Sequence, residues 1–199
     1  MMVKICGITN REDALAAVEA GASAIGFNFY RESPRYISHT GAAMIGESIP
    51  ASIWKVGVFV NEKPGTIAKI VLDAGLDVAQ LHGTSDARGV RLWRAIPSDV
   101  EIKAMPKDVE ALLIDTPADG TSGGSGKTWD WSKVPHLDLK IIVAGGLDAE
   151  NVRTAIEQTQ PWGVDACSRI EKSPGLKDHD KMRKFIAAAL NSSTHATSH

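Results

Sequence analysis

The sequence predicts a compact (β/α)8 TIM barrel, an α/β fold, with a reduced or missing fourth helix. Three observations carry that prediction: eight short apolar runs, helical patterns between most of them, and glycines that close helices just before the next run. Strands alternating with helices pair in parallel through βαβ units, and a count of eight suits a closed barrel better than an open sheet. At 199 residues the chain lies at the short end of such barrels, which run from about 200 residues upward.

The first run, Val3–Cys6, ends in a cysteine followed at once by Gly7 and a helix start. Thr9 with Glu12, and Asn10 with Asp13, both have capping-box spacing. The helix Glu12–Ala20 closes on "EAGA" and hands over to a second strand, Ala24–Phe29. A helix over Gly41–Ser48 leads to a third strand, Ile53–Val60, and the helix Pro64–Ala74 closes on "DAGL" before the fourth, Val78–Leu81. Here the alternation strains. Only "TSDARGV" separates Gly83 from Arg91, short of the dozen or so residues that a parallel crossover takes, so either the fourth helix shrinks to a turn or the strand count breaks. Strands at Leu92–Ile96, Ala111–Ile114, Lys140–Ala144 and Gly163–Cys167 complete the eight, with helices at Ala149–Gln158 and His179–Leu190. One barrel domain is expected over residues 1–190, followed by a polar tail, "NSSTHATSH", over 191–199.

A net charge of −2 argues against a protein that wraps a polyanion, so no nucleic-acid partner is expected. No run approaches the roughly 18 apolar residues of a membrane span, and the first strand follows the initial methionines directly, so neither membrane nor leader is expected. Two cysteines, Cys6 and Cys167, without CxxC or Cys/His spacing, read as reduced thiols in a cytoplasm and as no metal site.

In a barrel of this kind the residues just after each strand face one mouth. The strand exits hold Cys6, "NFYRESPRY", "VFVNE", "QLHG", "RAIP", "IDTPADGTSGGSGKT", "VAGGLDAEN" and "VDACSRIEKSPG". "TSGGSGKT" is not a P-loop, because the GxxxxGK[ST] pattern requires glycine where Thr121 stands; it reads as a loop over the mouth. Gly145 and Gly146, with Ser168 and Arg169, lie at the exits of strands seven and eight, where such barrels often hold phosphate on backbone N–H groups. The plainer reading is a pair of glycine turns. Asp115 ends the run "ALLID", where a carboxylate could not stay ionised without a partner. Alone, it is as readily structural as catalytic, and Cys6 alone reads as packing. A thiol and a carboxyl across one cavity, however, can act as base and acid if the thiol's pKa falls and the carboxyl's rises. Arg35, in the proline-stiffened "ESPRY", suits a carboxylate or phosphate if it points inward. His82 is either a strand-end ligand or a satisfied core histidine, and Asp165 sits on the last strand.

Together these residues resemble the phosphoribosylanthranilate isomerase family. The likeness spans nearly the whole chain, through "VKICGITNREDA", "SPRYIS", "KVGVFVNE", "QLHG", "LLIDT", "GGSGKTWDW", "AGGLDAENV" and "SPGLKDHDKMRKFI". The resemblance implies an isomerase of tryptophan biosynthesis that acts on a phosphorylated small molecule by an Amadori rearrangement, as a monomer or homodimer, without cofactor or metal. It further implies Cys6 as general base, Asp115 as general acid, Arg35 on the anthranilate carboxylate and Asp165 on its amine; His82, at a strand exit of the same mouth, is a further substrate-binding candidate. Gly145, Gly146 and Ser168 would hold the phosphate. The family usually reads "VDVSSGVE" where this chain has "VDACSRIE", so Cys167 replaces a serine and Arg169 a glycine that an arginine could supplement or crowd. The short fourth connection and Asn28, polar at a normally apolar strand position, are the other departures. The alternatives are another phosphosugar barrel, such as the histidine-pathway isomerase or indole-glycerol-phosphate synthase, or a non-catalytic phospholigand-binding relative. The first two usually carry an aspartate or a lysine at the end of strand one, where Cys6 stands.

Overall fold

The computed structural model describes residues 1–100, 108–116, 128–134 and 137–193. Strand β1 (Met2–Ile5) pairs in parallel with β2 (Ala24–Asn28) on one side and with β8 (Gly163–Ala166) on the other. Between them run β3 (Trp54–Val60), β4 (Val78–His82), β5 (Arg91–Pro97), β6 (Ala111–Asp115) and β7 (Lys140–Val143), each hydrogen-bonded to its neighbours in sequence order, so the barrel closes. Both faces of these strands are buried, which explains near-continuous apolar runs rather than strict alternation.

Alternation survives in which core each residue joins. Met2, Ala24, Val56, Val78, Trp93 and Ile142 fill the barrel interior, while Val3, Ile5, Ile25, Phe59 and Val164 pack outward against the helices. At the N-terminal end of the barrel, Trp54, Trp93 and Trp162 pack with ring centroids 5.8–5.9 Å apart. Arg91 covers Trp54 and Lys140 covers Trp162, which caps the aromatic plug with cations. The plug leaves the C-terminal ends of the strands as the open mouth.

Helix α1 (Arg11–Glu19) settles which cap operates: Asn10 accepts from the Asp13 N–H at 2.8 Å, while Thr9 donates its hydroxyl to the Gly175 carbonyl. Helix α2 (His39–Gly46) starts two residues before the expected Gly41 because Ser38 caps it. Helix α3 (Pro64–Asp73) lies as predicted. Helix α4 (Val152–Thr159) begins three residues late, because Asp148 accepts from the Glu150 and Asn151 N–H groups and holds the chain in a turn. Helix α5 (His179–Ser193) runs past residue 190, and most of the expected tail lies outside the described residues.

The strained joint resolves in favour of eight strands. No helix separates β4 from β5; Glu62 N–H donates to Ser85 Oγ at 2.7 Å, Thr84 N–H to Asn61 Oδ1 at 3.0 Å, and Arg94 Nη1 to the Ser85 carbonyl at 2.7 Å. Side chains thereby secure a connection too short to be secured by a helix. Asn28 is satisfied too: its Oδ1 accepts from Tyr30 N–H at 2.9 Å and its Nδ2 donates to Ser33 Oγ at 3.1 Å, shaping the loop that carries Arg35. After β8, an unpredicted antiparallel hairpin forms from β9 (Glu171–Ser173) and β10 (Leu176–Lys177). Strands of three and two residues are too short to show a period in the sequence.

Candidate active site

The inward-facing residues of β1 and β8 bring the first part of the site together. Lys4 and Asp165 are partners in the β1/β8 register, and Lys4 Nζ donates to Asp165 Oδ1 at 2.9 Å. Lys4 is fully buried and Asp165 nearly so. A lysine can stand inside an apolar barrel only with such a counter-ion. Burial disfavours its charge, but the Asp165 carboxylate and Cys6 together more than compensate and raise its pKa. Burial pushes Asp165 up to about 7, against the pull of Lys4.

Cys6 lies one turn of the pleat above Lys4, on the same face of the strand. Gly26 on β2 leaves space for both: a Cβ there would lie 2.9 Å from Cys6 Sγ and 3.1 Å from Lys4 Cε. The Cys6 thiol is held well below its usual pKa. A hydrogen bond from Cys167 is the largest cause, and the Lys4 ammonium adds to it against the opposing effect of burial. The Cys167 thiol moves the opposite way, upward, as the donor of that bond and through its own burial.

Asp115 ends β6 on the same mouth. Burial raises its pKa, against hydrogen bonds from the Thr116 N–H at 2.8 Å and the Thr116 hydroxyl at 3.1 Å. The thiol is therefore shifted toward its thiolate form and the carboxyl toward its protonated form, the directions that a base and an acid require.

Gly145 and Gly146 follow β7 with φ of +87° and +63°. At Gly145 a Cβ would also lie 2.7 Å from Thr116 N and 2.9 Å from Asp115 Oδ1, so the turn passes directly against the carboxyl. A small cleft of about 30 Å³ is lined by Asp115, Gly145, Gly146, Asp165, Ser168 and Arg169, together with neighbouring residues. Arg169, on a short 3₁₀ turn (Ser168–Ile170), lines the same cleft, and its Nη1 donates to Asp148 Oδ2 at 2.6 Å. Two larger clefts, of about 600 and 550 Å³, contain none of the predicted site residues.

Arg35 points inward and is 8% exposed. Its side edge binds Glu171, and its stem lies over Gly7, where a Cβ would come within 2.7 Å of Arg35 Cδ. His82, at the end of β4, has its Nε2 2.9 Å from Gln80 Nε2. Burial lowers its pKa to about 4, so the imidazole is neutral and can accept that amide hydrogen. The sequence reading missed Lys4, Glu171 and Lys177. A lysine within "VKIC" was a visible signal, since a charge in a strand buried on both faces needs a partner. Nothing local marked the other two. The "TSGGSGKT" loop reading falls on residues 121–128, which lie outside the described residues apart from the closing Thr128.

A closed eight-stranded barrel that gathers a lowered thiol, a raised carboxyl and paired left-handed glycines at its C-terminal mouth defines a TIM-barrel enzyme of the phosphosugar type. Within that class, the chain belongs to the family described as N-(5'phosphoribosyl)anthranilate (PRA) isomerase, whose family model matches residues 3–188. It is 48% identical over 196 residues to N-(5'-phosphoribosyl)anthranilate isomerase of Solibacter usitatus, covering 95% of this chain and 97% of that one. Its fold is similar to the phosphoribosyl anthranilate isomerase structure from Thermus thermophilus, with a TM-score of 0.85, 33% identity and coverage of 96% and 99%. It is also similar, with a TM-score of 0.79, 36% identity and the same coverage, to a phosphoribosyl anthranilate isomerase in complex with reduced 1-(o-carboxyphenylamino)-1-deoxyribulose 5-phosphate.

Proposed function

We propose that Cys6 and Asp115 are the proton-transfer pair of this isomerase. The activity is the conversion of N-(5'-phosphoribosyl)anthranilate to 1-(2-carboxyphenylamino)-1-deoxyribulose 5-phosphate, a step of tryptophan biosynthesis. In this assignment Asp115, protonated, gives its proton to the ribose ring oxygen as the C1′–O bond breaks, with the anthranilate nitrogen forming the C1′=N bond. The Cys6 thiolate then removes the C2′ proton, and the electron pair neutralises the iminium to give an enol. The enol tautomerises to the ketone. The observation that carries the reading is the opposed shift of two groups on one mouth: a thiol held low and a carboxyl held high.

Gly145, Gly146 and Ser168 are assigned to the phosphate, because paired left-handed glycines turn backbone N–H groups toward an anion. Arg169 stands at the edge of that cradle, held by Asp148. Arg35 is assigned to the anthranilate carboxylate, Asp165 to the amine, and the neutral His82 to a substrate hydroxyl. The partner is a phosphorylated small molecule, and the chain acts as a monomer or homodimer. Among the described residues no helix is long and apolar enough to cross a membrane.

The test is loss of anthranilate-type fluorescence with freshly made phosphoribosylanthranilate, with identification of the product by mass spectrometry. Full turnover by a Cys6→Ala, Asp115→Asn double variant would discard the assigned pair.

A further inference from the structure

Arg35 does not hang free in the mouth. Its Nε donates to Glu171 Oε1 at 2.9 Å and to Oε2 at 3.2 Å, and its Nη2 donates to Oε2 at 2.7 Å. That commits the side edge of the guanidinium. The end edge, formed by Nη1 and the second Nη2 hydrogen, keeps its donors, and Nη1 makes no hydrogen bond among the described residues. An arginine can therefore hold one carboxylate side-on and still offer a two-pronged end to a second one.

Glu171 is fixed in its turn. It opens the β9–β10 hairpin, and its cross-strand partner Lys177 donates from Nζ to Glu171 Oε1 at 2.9 Å. Gly175 N–H, in the turn of the hairpin, reaches the same oxygen at 3.3 Å. Lys177 is itself fully buried; its backbone N–H donates to Asp13 Oδ2 at 2.8 Å and its Nζ to the Cys167 carbonyl at 3.3 Å. Thr9, from the loop after β1, also ties to the Gly175 carbonyl. The hairpin thus grips the loops after β1 and β2 and forms no part of the barrel wall.

A buried ion cluster is a poor device for stability alone, since hydrophobic residues of similar volume generally serve as well. Its use here follows from entropy. A free arginine carries the rotamer freedom of a long side chain, all of which opposes binding if it must be frozen by the ligand. Held side-on by Glu171, Arg35 loses that freedom on folding.

We propose that Glu171 is a positioning residue for substrate recognition: it holds Arg35 so that the end of the guanidinium receives the anthranilate carboxylate. This rests on the assignment of Arg35 to that carboxylate.

The experiment measures binding of two probes, reduced 1-(o-carboxyphenylamino)-1-deoxyribulose 5-phosphate and its phenylamino counterpart without the carboxylate, to wild type, Arg35→Ala, Glu171→Gln and the double variant. Glu171→Gln should weaken the carboxylated probe about tenfold and leave the other unchanged. In the Arg35→Ala background it should have no further effect. Equal weakening of both probes, further weakening in the Arg35→Ala background, or a lowered Tm with unchanged probe discrimination would overturn the proposal. Should Glu171→Gln fail to fold, Glu171→Asp keeps the charge but retracts it by one methylene, and the same outcomes decide. If Arg35→Ala itself keeps wild-type discrimination between the probes, the assignment of Arg35 fails. If Arg35→Ala loses discrimination while the Glu171 variants retain it, only the role of Glu171 fails.

Discussion

Cys6 and Cys167 stand opposite one another where the first strand meets the last. The β1/β8 register runs from Met2↔Gly163 to Ile5↔Ala166, and the Cys6 N–H continues it by donating to the Ala166 carbonyl at 2.9 Å. Both residues face inward, since Lys4 and Asp165, two positions earlier, do so. The thiol assigned as base thus has a second thiol as its neighbour, where the family usually carries a hydroxyl.

The proton-transfer pair is tested by removing each member. Cys6→Ala and Asp115→Asn should each lower kcat by two or more orders of magnitude, the usual scale for general acid–base catalysis. Binding of the reduced product analogue should change little, because neither group is assigned to hold the ligand. Steady-state kinetics beside analogue titration separates the two effects; a loss confined to affinity would remove both residues from the chemistry.

The neighbour of Cys6 predicts a pH effect. A hydrogen bond from Cys167 is the largest influence holding the Cys6 thiol below its ordinary value. Cys167→Ala deletes the donor, so the thiolate should form at higher pH; Cys167→Ser replaces it with a hydroxyl, so the thiolate should form near the wild-type pH. The measurement is the rate of Cys6 alkylation by iodoacetamide against pH, followed by peptide mass spectrometry. Identical midpoints for the alanine variant and wild type would show that the thiolate is stabilised by other groups, Lys4 first among them.

Much of this architecture was legible in the sequence, because buried parallel strands write themselves as apolar runs and helices end in glycine. The eight strands lie where the runs predicted, within one residue at each end. Cys6, Asp115, Gly145 and Gly146 were legible for the same reason: a strand end fixes where a residue points. What was not legible is pairing over long sequence distances. Arg35 and Glu171 are 136 residues apart, and Lys4 and Asp165 are 161 apart. Only closure of the barrel brings β8 back to β1, and no local period encodes which charge will meet which. The starts of α2 and α4 were misplaced for a different reason, since a side-chain cap at Ser38 and a side-chain-closed turn at Asp148 outweighed the apolar pattern.

The buried Lys4–Asp165 pair predicts how stability depends on pH in a variant. Asp165 has a folded-state pKa of about 7, above the ordinary carboxylate value near 3.8. A raised pKa means that the folded state binds more protons than the unfolded one between those values, so this group's contribution is full below the unfolded pKa and is lost as pH rises to about 7. Lys4→Met removes the counter-ion, raises the folded pKa of Asp165 further and extends that loss to higher pH. The variant should therefore lie close to wild type near pH 4 and fall behind by about 3 kcal/mol at pH 8, the scale for breaking a buried pair. Denaturant unfolding of both proteins across this range checks it. A deficit that does not change with pH would mean that only packing was lost.

The same two thiols predict sensitivity to oxidants. Adjacent strands lie about 4.7–4.9 Å apart, inside the Cα separation of roughly 4.4–6.8 Å that a disulfide spans. A thiolate is the form that peroxide attacks, and Cys6 is the thiol held low. Peroxide converts the Cys6 thiolate to a sulfenic acid, and the Cys167 thiol can then displace water to form a Cys6–Cys167 disulfide. Peroxide should inactivate the enzyme, and a phosphorylated ligand in the mouth should protect it. Dithiothreitol should restore activity in the wild type, where the disulfide intercepts the sulfenic acid. In Cys167→Ser, which should be active before treatment, no second thiol is present, so excess peroxide carries Cys6 on to sulfinic acid and rescue should fail. Activity and free-thiol count against peroxide dose, before and after reduction, follow both proteins. Equal rescue of the two would remove Cys167 from the reaction, and full activity in enzyme whose Cys6 is shown to be oxidised would refute the thiolate base itself.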